Sequence, residues 1–383
     1  MQVDTTAAFE TMKMHYRERY AFARKWKKEG GKVVGYHYTS VPEEVIAAAG
    51  LLPVMVTGDP SISTEEGDKY MEDYFCPFVR SVHNLYVTGR YDFLDLAIFT
   101  QTNDSIKRGY YYVWTEKQLG LCTGIPPITA FDSLHTRKYI ASQYVCGRVA
   151  ALKKQMEQLS GKEITEEKLK KTIEVYNENR SLLKKVADLR RADPPRITGV
   201  EALQIIGAGF FIPKEEHNRL LKAFLAGADT LPARDGVRIY VSGTIIDNLQ
   251  LYELIESCGA VVVSEDVCTG NRYSDNLVDT SIDAVDALAE RYHFKAHEGR
   301  MFPMWELVDY VKSTAQACDA DGAIFNYLRW DDSHGWNYPS QRDALAAIGI
   351  PSTAFEMQDY TISGQEQLRT RIEAFLEMIR GGK

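Results

Sequence analysis

The sequence predicts an α/β protein of two parallel-sheet domains joined by a helical segment. Eight short runs rich in β-branched and aromatic residues recur along the chain, each separated from the next by a stretch of helical pattern. Strands alternating with helices indicate a parallel, doubly wound layer. The 383 residues are too many for one compact core, since domains usually hold roughly 100–200 residues. The runs also divide four and four about Asp193-Pro194-Pro195, which ends the longest helical stretch. The expected units are therefore 1–194, an N-terminal α/β domain with its helical connector, and 195–383, a C-terminal α/β domain.

The first thirty residues read as helix, basic and aromatic and free of proline. KVVGYHY is the first strand. Val41-Pro42-Glu43-Glu44 then opens an apolar helix, with proline and acidic residues where a first turn favours them. LLPVMVT, FLDLAIFTQ and IPPITAFD supply three further strands. From Tyr144 to Arg191 the pattern is helical and charged, broken at Ser160-Gly161 and restarted at Thr165. VRIYVSGT, GAVVVSED, DGAIFNYLRW and IPSTAFEMQ are the strands of the second half.

Composition excludes several functions. A net charge of −8 with no offsetting basic block argues against nucleic acid. No apolar run approaches the roughly 20 residues of a membrane span, and the N-terminus lacks a signal-peptide core, so a cytoplasmic protein is expected. Its six cysteines should then be reduced. None forms a Cys-x-x-Cys pair, so any metal would need ligands gathered from distant loops. No Gly-Lys-Ser/Thr phosphate loop is present, and Gly207-Ala208-Gly209 leads into Phe210-Phe211, not into a helix.

Open α/β sheets bind ligands off the carboxyl ends of their strands, which selects the loops after KVVGYHY, LAIFTQT, IYVSGT, VVVSED and IFNYLRW. After the first strand stand Tyr38, Thr39, Ser40 and Glu43, whose hydroxyls before a helix start suit a carbonyl or phosphate oxygen, or plain N-capping. Cys76 and Arg80 lie four residues apart, on one face of a helix, where a cation would favour thiolate. Gly243-Thr244 closes another strand with a turn able to bind phosphate or amide. Glu265-Asp266-Val267-Cys268-Thr269-Gly270-Asn271-Arg272 offers carboxylates, a hydroxyl and a guanidinium, or simply a solvated loop. Asp331, Asp332 and His334 follow the DGAIFNYLRW strand as a partial metal-ligand set. The candidate catalytic groups are Ser40, Glu43 and Arg272. The candidate substrate-binding groups are Tyr38, Thr39, Ser40, Arg80, Gly243, Thr244 and Arg272.

Taken in order, these motifs resemble one family. VPEEVIAAAGLLPV, CPFVRS, the strand with its Thr102-Asn103-Asp104 loop, SGTIIDN, SEDVCTGNRY, GAIFNYL and the later Tyr338-Pro339 and Gly349-Ile350-Pro351 are similar to the 2-hydroxyacyl-CoA dehydratase and benzoyl-CoA reductase superfamily. The likeness runs from about Lys32 to Asp359. It implies two Rossmann-like domains and oxygen-sensitive, anaerobic chemistry on acyl-CoA thioesters. It also implies a homologous second subunit and an ATP-hydrolysing iron–sulfur activator that injects low-potential electrons. Within the superfamily this chain resembles the smaller subunit. Benzoyl-CoA ring reduction is the favoured activity, because Tyr110, Tyr111, Tyr112, Trp114, Trp330, Trp336 and Tyr338 surround two of the loops. A 2-hydroxyacyl-CoA dehydratase subunit and a cluster-free scaffold shaping the partner's active site are the alternatives.

The same resemblance implies a [4Fe–4S] cluster on three cysteines. Cys76 holds the first position, but Asn103 and Asp331 stand at the other two. Clusters are normally held by soft thiolates, so the cluster of the complex is expected mainly on the partner, with recruitment of Cys122, Cys146 or Cys268 as the other route.

Overall fold

The computed structural model describes residues 4–101, 103–294, 301–362 and 364–382. Its eight strands coincide with the eight apolar runs: β1 (Val33–Tyr36), β2 (Leu52–Met55), β3 (Leu96–Thr100), β4 (Ile128–Phe131), β5 (Val237–Gly243), β6 (Ala260–Glu265), β7 (Gly322–Leu328) and β8 (Ser352–Gln358). They form two four-stranded sheets, ordered β2-β1-β3-β4 and β6-β5-β7-β8, and every pairing is parallel. The protein is thus an α/β molecule of two Rossmann-like domains. The inner strands are buried because helices cover both faces, which is why they read as continuous apolar runs and not as alternating ones. The edge strands β4 and β8 are partly exposed.

In each sheet the chain passes from the first strand to one side, then crosses back to the other. That reversal leaves a switch point between β1 and β3, and a second between β5 and β7, where connecting chains diverge and a crevice opens.

The connector is two long helices, Tyr139–Ser160 and Glu166–Arg191. Gly161 ends the first in the left-handed conformation, φ 70°, and the Thr165 hydroxyl caps the second. Residues 5–28 form two helices, Thr5–Arg17 and Ala21–Lys28. The first of these packs on Gly199–Ala208 and Lys214–Leu225. One apolar core unites the first sheet, the connector and residues of 197–224, while two smaller cores lie about the second sheet. The helix after β1 is shorter than its apolar run suggests: it spans Glu43–Ala48, with Pro42 outside at the N-cap.

Three buried ion pairs fix this frame: Arg180 with Glu44, Lys214 with Glu43, and Arg190 with Glu265. Each joins a helix of 166–225 to the chain beside a strand end. The Lys214 ammonium also lies 4.9–5.6 Å from the ring centroids of Tyr273, Phe210 and Tyr176, a favourable electrostatic setting for a desolvated cation.

Candidate active site

The loops at the two switch points meet in one crevice. Three helices begin there, Pro77–Val87, Asp104–Leu119 and Asp332–Ala346, and their N-cap residues are Cys76, Asn103 and Asp331. A helix start carries unpaired N–H groups and partial positive charge, so three of them aimed at one place favour an anion or a developing negative oxygen.

Tyr38 stands among them. It leaves β1 in the left-handed region, φ 58°, a conformation that a bulky side chain adopts only when its surroundings impose it. Asn103 Nδ2 donates to its hydroxyl at 3.1 Å, while Asn103 Oδ1 accepts from the Ile106 N–H at 2.8 Å. Burial, and then the nearby Cys76, Asp331 and Cys268, push the phenol well above its ordinary range, so it remains a neutral O–H donor. Beside it His37 is buried, its Nε2 2.9 Å from the Tyr86 hydroxyl and its ring 4.1 Å from Phe99. Burial lowers the His37 pKa to about 3, which keeps the ring neutral.

Cys76 is 1% exposed. Burial, reinforced by the Asp331 carboxylate, pushes its thiol up to about 12, outweighing the Phe78 and Val79 backbone N–H groups that favour thiolate. Arg80 does not supply the expected cation, because its guanidinium turns to Asp68 at 2.6 Å. Across the crevice, Trp330 also adopts a left-handed backbone, φ 65°, and its indole N–H donates to the Asp73 carbonyl at 3.1 Å. Asp331 meets His334 Nδ1 at 3.0 Å and the Ser333 hydroxyl at 3.3 Å. Tyr74, Trp330 and Trp336 expose their rings on a cleft of about 780 Å³ that Lys107 and Arg108 also line.

The remaining candidates divide. Thr39 donates to the Cys268 carbonyl at 3.3 Å, bringing the loops after β1 and β6 together. The Ser40 hydroxyl oxygen is buried without a hydrogen-bond partner among the described residues. Glu43 instead points to Lys214 in the core beside the loop, 3.3 Å away. Gly243 and Thr244 are committed to the sheet. Gly243 has φ 126°, a Cβ there would collide with the Asn326 carbonyl, and Thr244 bonds that carbonyl and the Leu328 N–H. Arg272 is buried opposite Asp266, 3.8 Å away. Burial raises the Asp266 carboxyl, with Arg272, Ser242 and His334 opposing the rise. Thr102 lies outside the described residues.

These residues do not fit a [4Fe–4S] cluster. Only one of the three family positions carries a thiol, Cys76, and one thiolate cannot hold a cubane whose usual site supplies four. Both ends of the Asn103 amide are engaged, and Asp331 is paired with His334. Among the described residues no group of three or more His, Cys, Asp or Glu side chains is arranged to hold a metal ion, the Asp331, Asp332 and His334 set included.

The family model for the 2-hydroxyglutaryl-CoA dehydratase D-component matches residues 38–379, from the crevice tyrosine almost to the end of the last helix, Gln365–Gly381. The chain belongs to that family. A benzoyl-CoA reductase subunit of Thauera aromatica is 29% identical over 94% of this chain and 94% of its own length. The (R)-phenyllactyl-CoA dehydratase beta subunit of Clostridium sporogenes is 25% identical, covering 92% and 93%. The beta subunit of the (R)-2-hydroxyglutaryl-CoA dehydratase of Acidaminococcus fermentans is 22% identical, covering 93% and 94%. All three relatives are subunits of larger enzymes.

Cys76, Asn103 and Asp331 were reachable from sequence by resemblance, but their shared position as N-caps was not drawn from it. The signals were present: proline after Cys76, and Asn-Asp and Asp-Asp-Ser at helix starts. The pairing of Arg180 and Lys214 with Glu44 and Glu43 had no local signal, because the partners lie 136 and 171 positions apart.

Proposed function

We propose that this chain is one subunit of an ATP-driven, low-potential-electron enzyme acting on acyl-CoA thioesters, of the benzoyl-CoA reductase type. The observation that carries the reading is the crevice itself. Three helix N-termini and a neutral Tyr38 hydroxyl converge where an exposed wall of Tyr74, Trp330 and Trp336 can face a flat acyl group. Electron addition to an aryl thioester places negative charge on its carbonyl oxygen, and oriented donors in a partly dry site stabilise that charge better than water. The most similar of the three relatives above is named for benzoyl-CoA, which agrees with ring reduction.

The unsuitable ligand set supports a redox centre on a homologous partner, with this chain shaping the site. A candidate surface for that partner is offered by Tyr139, Ile140, Phe302 and Trp305, which are 61–78% exposed. Their segments are joined through the bridge between Thr136 and Phe302. Contiguous apolar patches of this kind mark interaction surfaces. No helix of the described residues is long and apolar enough to cross a membrane, and we place the complex in the cytoplasm.

The test is anaerobic turnover of the co-purified complex, with reductant and ATP, on benzoyl-CoA and on lactoyl-CoA. Loss of aromatic absorbance from benzoyl-CoA is the expected result. Dehydration of lactoyl-CoA with benzoyl-CoA untouched would overturn ring reduction in favour of a dehydratase.

A further inference from the structure

A second cavity lies apart from the Cys76 crevice, at the carboxyl end of β2, where Thr57, Gly58 and Asp59 follow the strand. It encloses about 470 Å³, a size suited to one small ligand. Four arginines line it, Arg17, Arg19, Arg24 and Arg90, against one carboxylate, Asp59. This is the basic segment of an acidic chain: residues 13–32 hold eight Lys or Arg and two Glu, within a protein of net charge −8.

The four guanidiniums are not equally occupied. Arg19 is fixed, bonding Thr57 at 2.8 Å and pairing with buried Asp247 at 3.3 Å. Arg24 pairs with exposed Asp92 at 3.2 Å, donates to the Arg90 carbonyl at 2.8 Å and lies over the Phe93 ring, whereas Arg17 pairs only with exposed Glu18 at 3.1 Å among the described residues. Such surface pairs contribute little and yield readily to a stronger anion. The Arg90 side chain has no hydrogen-bond or ion-pair partner among the described residues. Tyr16, Tyr20 and Tyr91 form an aromatic wall behind these cations. Planar guanidiniums lining one cavity match a phosphate group, which a guanidinium can engage through two N–H donors.

We propose that this cavity binds the phosphate groups of a nucleotide-type ligand. Two sources carry that chemistry, coenzyme A and a free adenine nucleotide. Geometry favours the first. Asp59, Pro60 and Ile62 are shared with a smaller cleft of about 170 Å³ that also reaches Pro77 and Arg80, on the helix that Cys76 caps. A ligand anchored by its phosphates at the arginines can therefore extend an arm toward the crevice. The coenzyme A assignment rests on the acyl-CoA reading above, while the phosphate site does not.

The experiment is photo-crosslinking of the co-purified complex with 8-azido derivatives of coenzyme A and of ADP, mapped by peptide mass spectrometry. Labelling of the 16–24 or 85–91 peptides is expected from azido-coenzyme A, competed by coenzyme A and not by ADP. R17Q/R90Q should cut it at least tenfold and R17K/R90K should restore part of it. Both side chains are exposed at the cavity mouth, so an unchanged melting temperature confirms that R17Q/R90Q is folded. Labelling competed by ADP and not by coenzyme A would support the phosphate site and overturn its assignment to the acyl-CoA substrate. Labelling confined to other peptides, or indifferent to R17Q/R90Q, would overturn the site.

Discussion

Replacing Arg180 by methionine removes the guanidinium that compensates Glu44 while keeping most of the side chain's bulk. Both side chains are 0% exposed. Burial alone would raise the Glu44 carboxyl, but Arg180 and Arg291 outweigh it and hold the group below its ordinary value. In the wild type this contributes stability above the unfolded carboxylate pKa, lost as pH falls through the lower folded value. In R180M the sign reverses. Glu44 keeps the Tyr292 hydroxyl at 2.8 Å and the field of Arg291, which donates to the Tyr273 and Asn276 carbonyls and not to Glu44, too little for a buried charge, so the carboxyl protonates on folding. Keeping a glutamate of unfolded pKa about 4.3 neutral costs about 4 kcal/mol at pH 7 and about 1 kcal/mol at pH 5. The pH 7 figure agrees with the roughly 3–5 kcal/mol that breaking a buried pair costs. Urea denaturation followed by circular dichroism at both pH values measures the difference. The deficit of R180M should shrink by about 3 kcal/mol from pH 7 to pH 5, and E44Q/R180M should recover most of it. An equal deficit at both pH values, or one below about 1 kcal/mol at pH 7, would refute an electrostatic origin.

Two further outcomes follow from the crevice, and one from the sheet beside it. Ser40→Ala removes a buried hydroxyl that has no partner among the described residues, so the melting temperature should hold while turnover of the complex falls. Thr244→Val breaks bonds to Asn326 and Leu328 and should cost about 1–3 kcal/mol of stability with near-normal turnover per folded molecule. Tyr38→Phe keeps the ring against Phe78, 5.9 Å away. It should lower turnover roughly 100-fold, as loss of an oriented donor does, with a melting shift of only a few degrees.

All eight strands were legible because buried parallel strands are continuous apolar runs, and β1 to β3 and β5 to β7 are of that kind. The sheet order was less so: nothing in the runs says that β3 lies beside β1 and not β2. The crevice loops followed from the strand-end rule, yet side-chain direction did not. Cys76 and Arg80 share a helix, but Asp68, from a separate loop, takes the guanidinium, and burial decides the thiol. Gly243-Thr244 looks like an open turn in sequence, whereas the crossing of β7 makes it part of the ladder. Glu43 lies in a helix start that suits a site, and a lysine 171 positions later turns it inward. Local pattern reports the element, while pairing over such separations belongs to the packed molecule.

The central claim is that this family member shapes a crevice whose redox centre is held by its partner. Iron and sulfide analysis of the anaerobically purified complex, comparing wild type with Cys76→Ser, tests it most directly. Asn103 and Asp331 are committed to Tyr38 and His334, which leaves Cys76 as the single thiol at the family's cluster positions, so the iron content should be unchanged. A Cys76→Ser complex that loses about four irons per copy of this chain, the content of one cubane, would contradict the account and show that the crevice gathers ligands of its own.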